Sequence, residues 1–241
     1  MTGECIVSPT TIRFMIHDPA FLLTEGDMTK PRDALVFIEW WDMTHAEFGS
    51  SNAGIDYCRS GKDPLVKRFY EELLPLARSM KLLAPLMPGL VCQPTLANEF
   101  PDAWMWCSED SKIPLEITCA KDGFHEALQS LEMEKKGWVN ITFPPQVEGQ
   151  GRNKKVLFIE DEMRECRETD LELKNLIQAR LASKSAKNYR LNPLLIIDFD
   201  DSRLDVESWP DWVSFCSALK HPFRGLLIVG DKFSWHDIGG D

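Results

Sequence analysis

The chain has 241 residues, of which 44% are hydrophobic and 27% charged, which is typical of an ordinary globular protein. No window approaches the roughly 18 uninterrupted apolar residues of a membrane-spanning helix, and residues 1–18 lack the features of a signal peptide. We therefore expect a cytoplasmic protein without membrane contact. The seven cysteines are widely scattered, which argues against a disulfide framework or a zinc ribbon.

The net charge of −11 is concentrated at the two ends of the chain. Residues 1–60 and 195–241 each carry 4 Lys or Arg against 9 Asp or Glu, whereas the middle of the chain is nearly neutral. Acidic ends repel nucleic-acid phosphates and suit a protein partner. Any contact with DNA or RNA is therefore expected in the middle.

The first half of the chain predicts a helix followed by a small sheet. Residues 1–62 show no persistent helical stripe, so we expect an irregular N-terminal extension packed on the core. Asp63 is a suitable N-cap, and Pro64 opens a predicted helix over 64–82 that Pro75 could bend. Three runs rich in β-forming residues then predict an antiparallel meander: 90–95, 103–107 and 113–120.

The second half predicts an α/β arrangement. Residues 194–198 and 226–229 are continuous apolar runs, as in buried parallel strands. The other predicted elements are a helix over 124–136, a strand over 138–143, a polar loop through 153, a strand over 156–159, a helix over 161–189 and a helical segment over 206–219.

Two carboxylates mark the most informative part of the sequence. Along the predicted strand 113–120, alternation places Glu116 and Thr118 on the face opposite Leu115 and Ile117. If Asp102 lies beside Glu116, the pair forms a hard-oxygen site that suits Mg²⁺ or Mn²⁺. A turn role for Asp102 and a solvated sheet face for Glu116 are the structural alternatives.

Pro101-Asp102, followed fourteen positions later by Glu116-Ile117-Thr118, lies in an α-β-β-β-α-β order of elements. This pattern resembles the PD-(D/E)XK superfamily of restriction-endonuclease-like nucleases over roughly residues 63–200. The resemblance implies an α/β domain over 63–241 with a mixed sheet flanked by helices. It also implies Mg²⁺-dependent phosphodiester hydrolysis with Asp102 and Glu116 as metal ligands and Glu72 as an additional ligand.

One position departs from the superfamily pattern. The lysine of the motif would fall at Thr118, which cannot supply a positive charge to the attacking water. Lys121 is a candidate substitute, as are Lys135 and Lys136. Each of these lysines, like Glu72, has the alternative of being an ordinary solvated side chain.

A stretch of positive charge precedes the apolar strand at 194–198. Residues 174–190 contain five basic and no acidic residues, and Arg180, Lys184 and Lys187 share one helical face. This basic face could bind the phosphates of DNA or RNA, or its side chains could cover the edge of the core. Two functions therefore stand: a metal-dependent nuclease, and a catalytically inactive nuclease-like fold acting as a protein-interaction or nucleic-acid-binding module.

Overall fold

The computed structural model describes residues 23–49, 64–95, 100–121, 146–148, 155–157, 166–202 and 204–238. The protein is α/β, with seven strands in one mixed sheet and two in another. No helix in these ranges is long and apolar enough to cross a membrane. The chain divides into two compact units, Met1–Ile117 and Thr118–Asp241.

The first unit contains a long helix where the sequence predicted irregular structure. Its helices are α1 (Glu25–Thr29), α2 (Ala34–Gly49), α3 (Pro64–Arg68), a π-helical turn (Phe69–Leu73) and α4 (Leu74–Leu83). The expectation of an irregular extension is therefore wrong for residues 34–49. Residues 50–63 lie outside the described part, and the predicted boundary after residue 62 stays a prediction.

Helix α2 was missed because its buried stripe is mixed in character. The buried positions recur every three or four residues and are Ala34, Phe37, Trp41, Thr44 and Phe48. A polar threonine interrupts this stripe, while the apolar Leu35, Val36 and Met43 are exposed outside it. The apolar residues of this segment therefore do not follow a clear helical spacing along the sequence.

The predicted helix over 64–82 is confirmed, and a π-helical turn replaces the expected bend. The backbone N–H of Leu74 donates to the carbonyl of Phe69, one residue further back than in an α-helix. Pro75 follows immediately; proline has no N–H and its ring crowds the preceding turn. A wider turn at this point relieves that crowding.

The predicted meander is confirmed as three antiparallel strands, preceded by a short fourth. The strands of the first unit are β1 (Arg32–Asp33), β2 (Val91–Pro94), β3 (Ala103–Trp106) and β4 (Ile113–Cys119), whose last two residues belong to the second unit. They pair in the order β1-β2-β3-β4. In the register of β3 and β4, Ala103 lies opposite Leu115.

The core of the first unit joins α2 to the π-turn through aromatic rings. Trp41 stacks on Phe69 with ring centroids 5.4 Å apart, and Phe48 meets Phe69 edge-on. These rings are almost fully buried, so they hold the π-turn firmly against α2.

The second unit is built on two parallel strands. Its elements are β5 (Gln146–Glu148), β6 (Lys155–Leu157), α5 (Cys166–Ser185), β7 (Leu194–Asp198), a 3-10 turn (Val206–Ser208), α6 (Trp209–Ala218), β8 (Gly225–Val229) and β9 (Ser234–Ile238). The predicted parallel pairing of β7 and β8 is confirmed. Every residue of both strands is buried, which explains their continuous apolar character.

The other expectations for this unit have mixed outcomes. The helix predicted over 161–189 is confirmed over Cys166–Ser185, and residues 186–189 are not helical. The helical segment predicted over 206–219 is confirmed as the 3-10 turn and α6. Residues 146–148 were expected in a loop but form β5, paired with β6, and β9 was not predicted. The predicted helix over 124–136 and strand over 138–143 lie outside the described residues.

Candidate carboxylate site

Asp102 lies immediately before β3 and is bonded to β4 on both sides of Glu116. Its backbone N–H donates to the carbonyl of Leu115 at 3.0 Å. Its side-chain Oδ2 accepts from the N–H of Ile117 at 2.7 Å. Asp102 is therefore adjacent to the β4 backbone at Glu116.

Glu116 is buried, with 3% of its surface exposed. Its neighbours Leu115 and Ile117 are also buried in β4, and alternation directs them to the opposite face from Glu116. The alternative that Glu116 occupies a solvated face is therefore wrong. A buried carboxylate loses its interactions with water, so it lowers the stability of the fold unless other interactions compensate for that loss.

Glu72 contributes a third carboxylate from the π-turn. Burial, together with the negative charge of Asp102, raises the pKa of Glu72 to about 7. Its Oε2 is buried and finds no hydrogen-bond partner among the described residues. The side chain of Glu72 is therefore close enough to Asp102 for the two charges to repel each other.

The neighbouring Glu71 shows what an ordinary helix glutamate does in the same segment. Its side chain is 46% exposed and lies 3.8 Å from the ammonium of Lys67. The alternative of a solvated glutamate therefore holds for Glu71 and not for Glu72. The sequence alone could not separate them, because the difference arises from the π-turn.

Two of the positions considered for the lysine of the motif, Thr118 and Lys121, lie among the described residues. Thr118 is half-buried on β4, and its hydroxyl carries no positive charge. The carbonyl of Lys121 accepts a hydrogen bond from the Arg180 guanidinium at 2.7 Å, which fixes the backbone there. Lys135 and Lys136 lie outside the described residues.

The predicted basic face is partly used within the second unit. Arg180 is half-buried and holds the Lys121 carbonyl, so it has a structural role. Lys184 is half-buried in the last turn of α5, whereas Lys187 is exposed and follows the end of the helix at Ser185. Of the three basic residues, Lys187 is therefore the most exposed to solvent. The expectation that all three residues share one helical face is wrong for Lys187.

The first unit offers only a few carboxylate oxygens to a divalent cation such as Mg²⁺. Among the described residues, no group of three or more His, Cys, Asp or Glu side chains is arranged to hold a metal ion. However, Mg²⁺ commonly uses one or two carboxylates and completes its shell with water and substrate phosphates. The buried Oε2 of Glu72, which lacks a hydrogen-bond partner among the described residues and whose carboxyl is influenced by the charge of Asp102, fits such a site.

Sequence reasoning missed a second buried carboxylate, Asp201, in the second unit. Asp201 is 1% exposed, and its carboxylate accepts from the N–H groups of Asp231 at 2.9 Å and of Lys232 and Phe233 at 2.6 Å. Nothing in the sequence near Asp201 indicates these partners, which lie about thirty positions later. Its oxygens are occupied by the loop between β8 and β9.

The buried thiols do not favour nucleophilic chemistry. Burial raises the pKa of Cys92 and of Cys216 to about 12. A thiol with such a pKa is almost entirely protonated at neutral pH and is a poor nucleophile. The carboxylates therefore remain the better candidates for chemistry.

No protein-family model, curated protein or solved structure matches this chain.

Proposed function

We propose that the protein is a Mg²⁺- or Mn²⁺-dependent nuclease of the PD-(D/E)XK type. The observation that carries the proposal is the buried oxygen of Glu72, which lacks a hydrogen-bond partner among the described residues and whose carboxyl is influenced by the charge of Asp102. Unpartnered buried acids of this kind are costly and concentrate at functional sites.

Asp102 and Glu116 would hold the metal, and Glu72 would assist. When bound, a divalent cation polarises the phosphate and lowers the pKa of a water molecule. The chain itself contributes orientation, because the N–H of Ile117 fixes one oxygen of Asp102. Glu72, with a pKa of about 7, would hold a proton below that pH and release it above, as suits an acid-base group.

Nucleic acid would be contacted through Lys184 and Lys187. Neutralising phosphates releases counterions, so each lysine in contact adds about one to the slope of log affinity against log salt. We expect Lys187→Met to weaken DNA or RNA binding and reduce that slope. The acidic ends of the chain would add repulsion that high salt screens.

The second candidate function is a non-catalytic module on the same scaffold, and Thr118 is the observation that favours it. Without a cation at this position, a metal could bind while hydrolysis is lost. The net charge of −11 then suits a protein partner better than a nucleic acid.

A nuclease assay separates the two functions. Purified protein is incubated with single- and double-stranded DNA and with RNA, with Mg²⁺ or Mn²⁺. The nuclease proposal predicts cutting that Asp102→Asn and Glu116→Gln abolish. It also predicts that Glu72→Gln lowers the rate while the matched variant Glu71→Gln does not.

The same assay tests which residue supplies the positive charge that Thr118 lacks. Lys121→Met keeps the side-chain stem and removes the charge, so loss of cutting identifies Lys121 as the substitute. If the wild type is inert and Thr118→Lys cuts, the non-catalytic function is supported. If neither protein cuts and neither binds nucleic acid at low salt, the nuclease proposal is wrong.

A further inference from the structure

Thr95 follows β2 and contacts the segment that carries Asp102. Its backbone N–H donates to the carbonyl of Asp102 at 3.0 Å. Its hydroxyl donates to the carbonyl of Pro101 and lies 3.1 Å from the carbonyl of Asp102. Two donors of one residue therefore hold two consecutive carbonyl groups.

These contacts complete the restraint of Asp102. The N–H of Asp102 is bonded to Leu115, and its side chain is bonded to Ile117. Thr95 holds its carbonyl, so every polar group of the Asp102 backbone is engaged. Because β3 begins only at Ala103, Asp102 would otherwise lie at the frayed end of a strand.

The hydroxyl of Thr95 adds a hydrogen bond that backbone pairing alone would not provide. The N–H bond to Asp102 would form with any residue other than proline at position 95. The hydroxyl additionally binds Pro101, one residue before the carboxylate. Interactions with the residues around a metal-binding carboxylate control its orientation and typically change metal affinity by about 10- to 100-fold.

We infer that Thr95 is a positioning residue that orients the Asp102 carboxylate through its hydroxyl. The consequence for metal affinity rests on the proposed function. The orientation of Asp102 itself does not, because the hydrogen bond from Ile117 to Asp102 reports it in the absence of metal.

The first test measures amide hydrogen exchange by NMR in metal-free protein. Thr95→Val removes the hydroxyl and keeps the shape, whereas Thr95→Ser restores the hydroxyl. Losing one hydrogen bond should speed exchange of the Ile117 amide by about fivefold, and Thr95→Ser should return it to the wild-type rate. Amides of β7 serve as internal controls and should not change.

The second test measures Mn²⁺ binding to the same proteins by electron paramagnetic resonance. We expect Thr95→Val to weaken binding about tenfold and Thr95→Ser to recover it. Thermal melting checks that the valine variant folds, and Thr95→Ala provides a second variant without the hydroxyl.

The two tests fail in different ways. If the wild type binds no Mn²⁺ but Ile117 exchange responds to Thr95 as described, the proposed function fails and the positioning role stands. If Ile117 exchange is unchanged in both variants lacking the hydroxyl, the positioning role is wrong. Unaltered Mn²⁺ affinity in Thr95→Val, with wild-type binding present, also overturns the inference for the metal site.

Discussion

Asp201 in the second unit and Glu72 in the first each have buried carboxylate oxygens, but the hydrogen bonding of these oxygens is opposite. In the second unit, Asp201 is surrounded by three backbone N–H donors. In the first unit, Glu72 has a buried oxygen without a hydrogen-bond partner in the described part of the chain. It also lies in the field of a second carboxylate, Asp102.

The difference separates a structural acid from a candidate ligand. Hydrogen bonds to the charged form compensate a carboxylate for losing water, so Asp201 can stabilise the loop that it holds. Glu72 lacks this compensation and therefore reduces stability when ionised. A site that costs stability in this manner is expected where a ligand supplies the missing interaction.

The largest effect on stability is expected at Asp201. Asp201→Ala leaves the N–H groups of Asp231, Lys232 and Phe233 without their acceptor. Unsatisfied buried donors cost about 1–3 kcal/mol each, and partial hydration of the loop reduces the sum. We expect a loss of about 3 kcal/mol in the free energy of unfolding, measured by urea denaturation; a loss below about 1 kcal/mol would contradict the structural role.

A smaller loss in the free energy of unfolding is expected when a methyl group at Gly230 crowds the Asp201 carboxylate. A Cβ at Gly230 would lie 2.5 Å from Cγ of Asp201, whereas a Cβ at Gly49 meets nothing within 4 Å. Gly230→Ala should therefore destabilise the protein by about 2 kcal/mol. The matched variant Gly49→Ala should be neutral or slightly stabilising by the same denaturation measurement, and equal effects of the two would refute the crowding argument.

The smallest effect concerns the pH dependence that Glu72 imposes. Its pKa is raised from 4.5 to about 7, so between these pH values the folded protein binds a proton that the unfolded chain has released. Stability is therefore highest with respect to Glu72 below pH 4.5 and falls as the pH rises through about 7. Glu72→Gln should remove this fall and exceed the wild type by about 1 kcal/mol at pH 8, since the half-buried carboxyl is partly screened by water.

The control for this pH profile is Glu71→Gln. Glu71 is exposed and paired with Lys67, so its replacement should keep most of the wild-type dependence on pH. Urea denaturation of the three proteins between pH 4 and 8 compares them directly. A wild-type profile in Glu72→Gln would mean that Glu72 is not the group responsible.

Local sequence patterns predicted the elements that carry the candidate site. Alternation in Ile113–Cys119 and the N-cap signal before Pro64 each depend on residues close in sequence, so β4 and the helix that begins at Pro64 could be predicted. Asp102 was found because it directly precedes one predicted strand, and Glu116 because it is an acidic residue within the next, otherwise apolar strand. Helix α2 was missed because Thr44 interrupts its buried stripe, and tertiary packing overrides such weak patterns.

Other features depend on contacts between distant residues and leave little local signal. The roles of Asp201 and Thr95 arise from bonds to residues brought near by the fold. The distinction between Glu71 and Glu72 depends on the π-turn; Pro75 is its one visible sign, and a proline also fits an ordinary bend.

The most direct test of the carboxylate site is a Mn²⁺ titration of metal-free protein at pH 8, where Glu72 is mostly ionised. Electron paramagnetic resonance measures the free Mn²⁺, and added Mg²⁺ tests competition. We predict saturable binding that Mg²⁺ displaces and that Asp102→Asn and Glu116→Gln abolish. Glu72→Gln should weaken this binding, whereas Glu71→Gln should leave it unchanged. Absence of binding in the wild type, or equal binding in Asp102→Asn, would contradict this prediction.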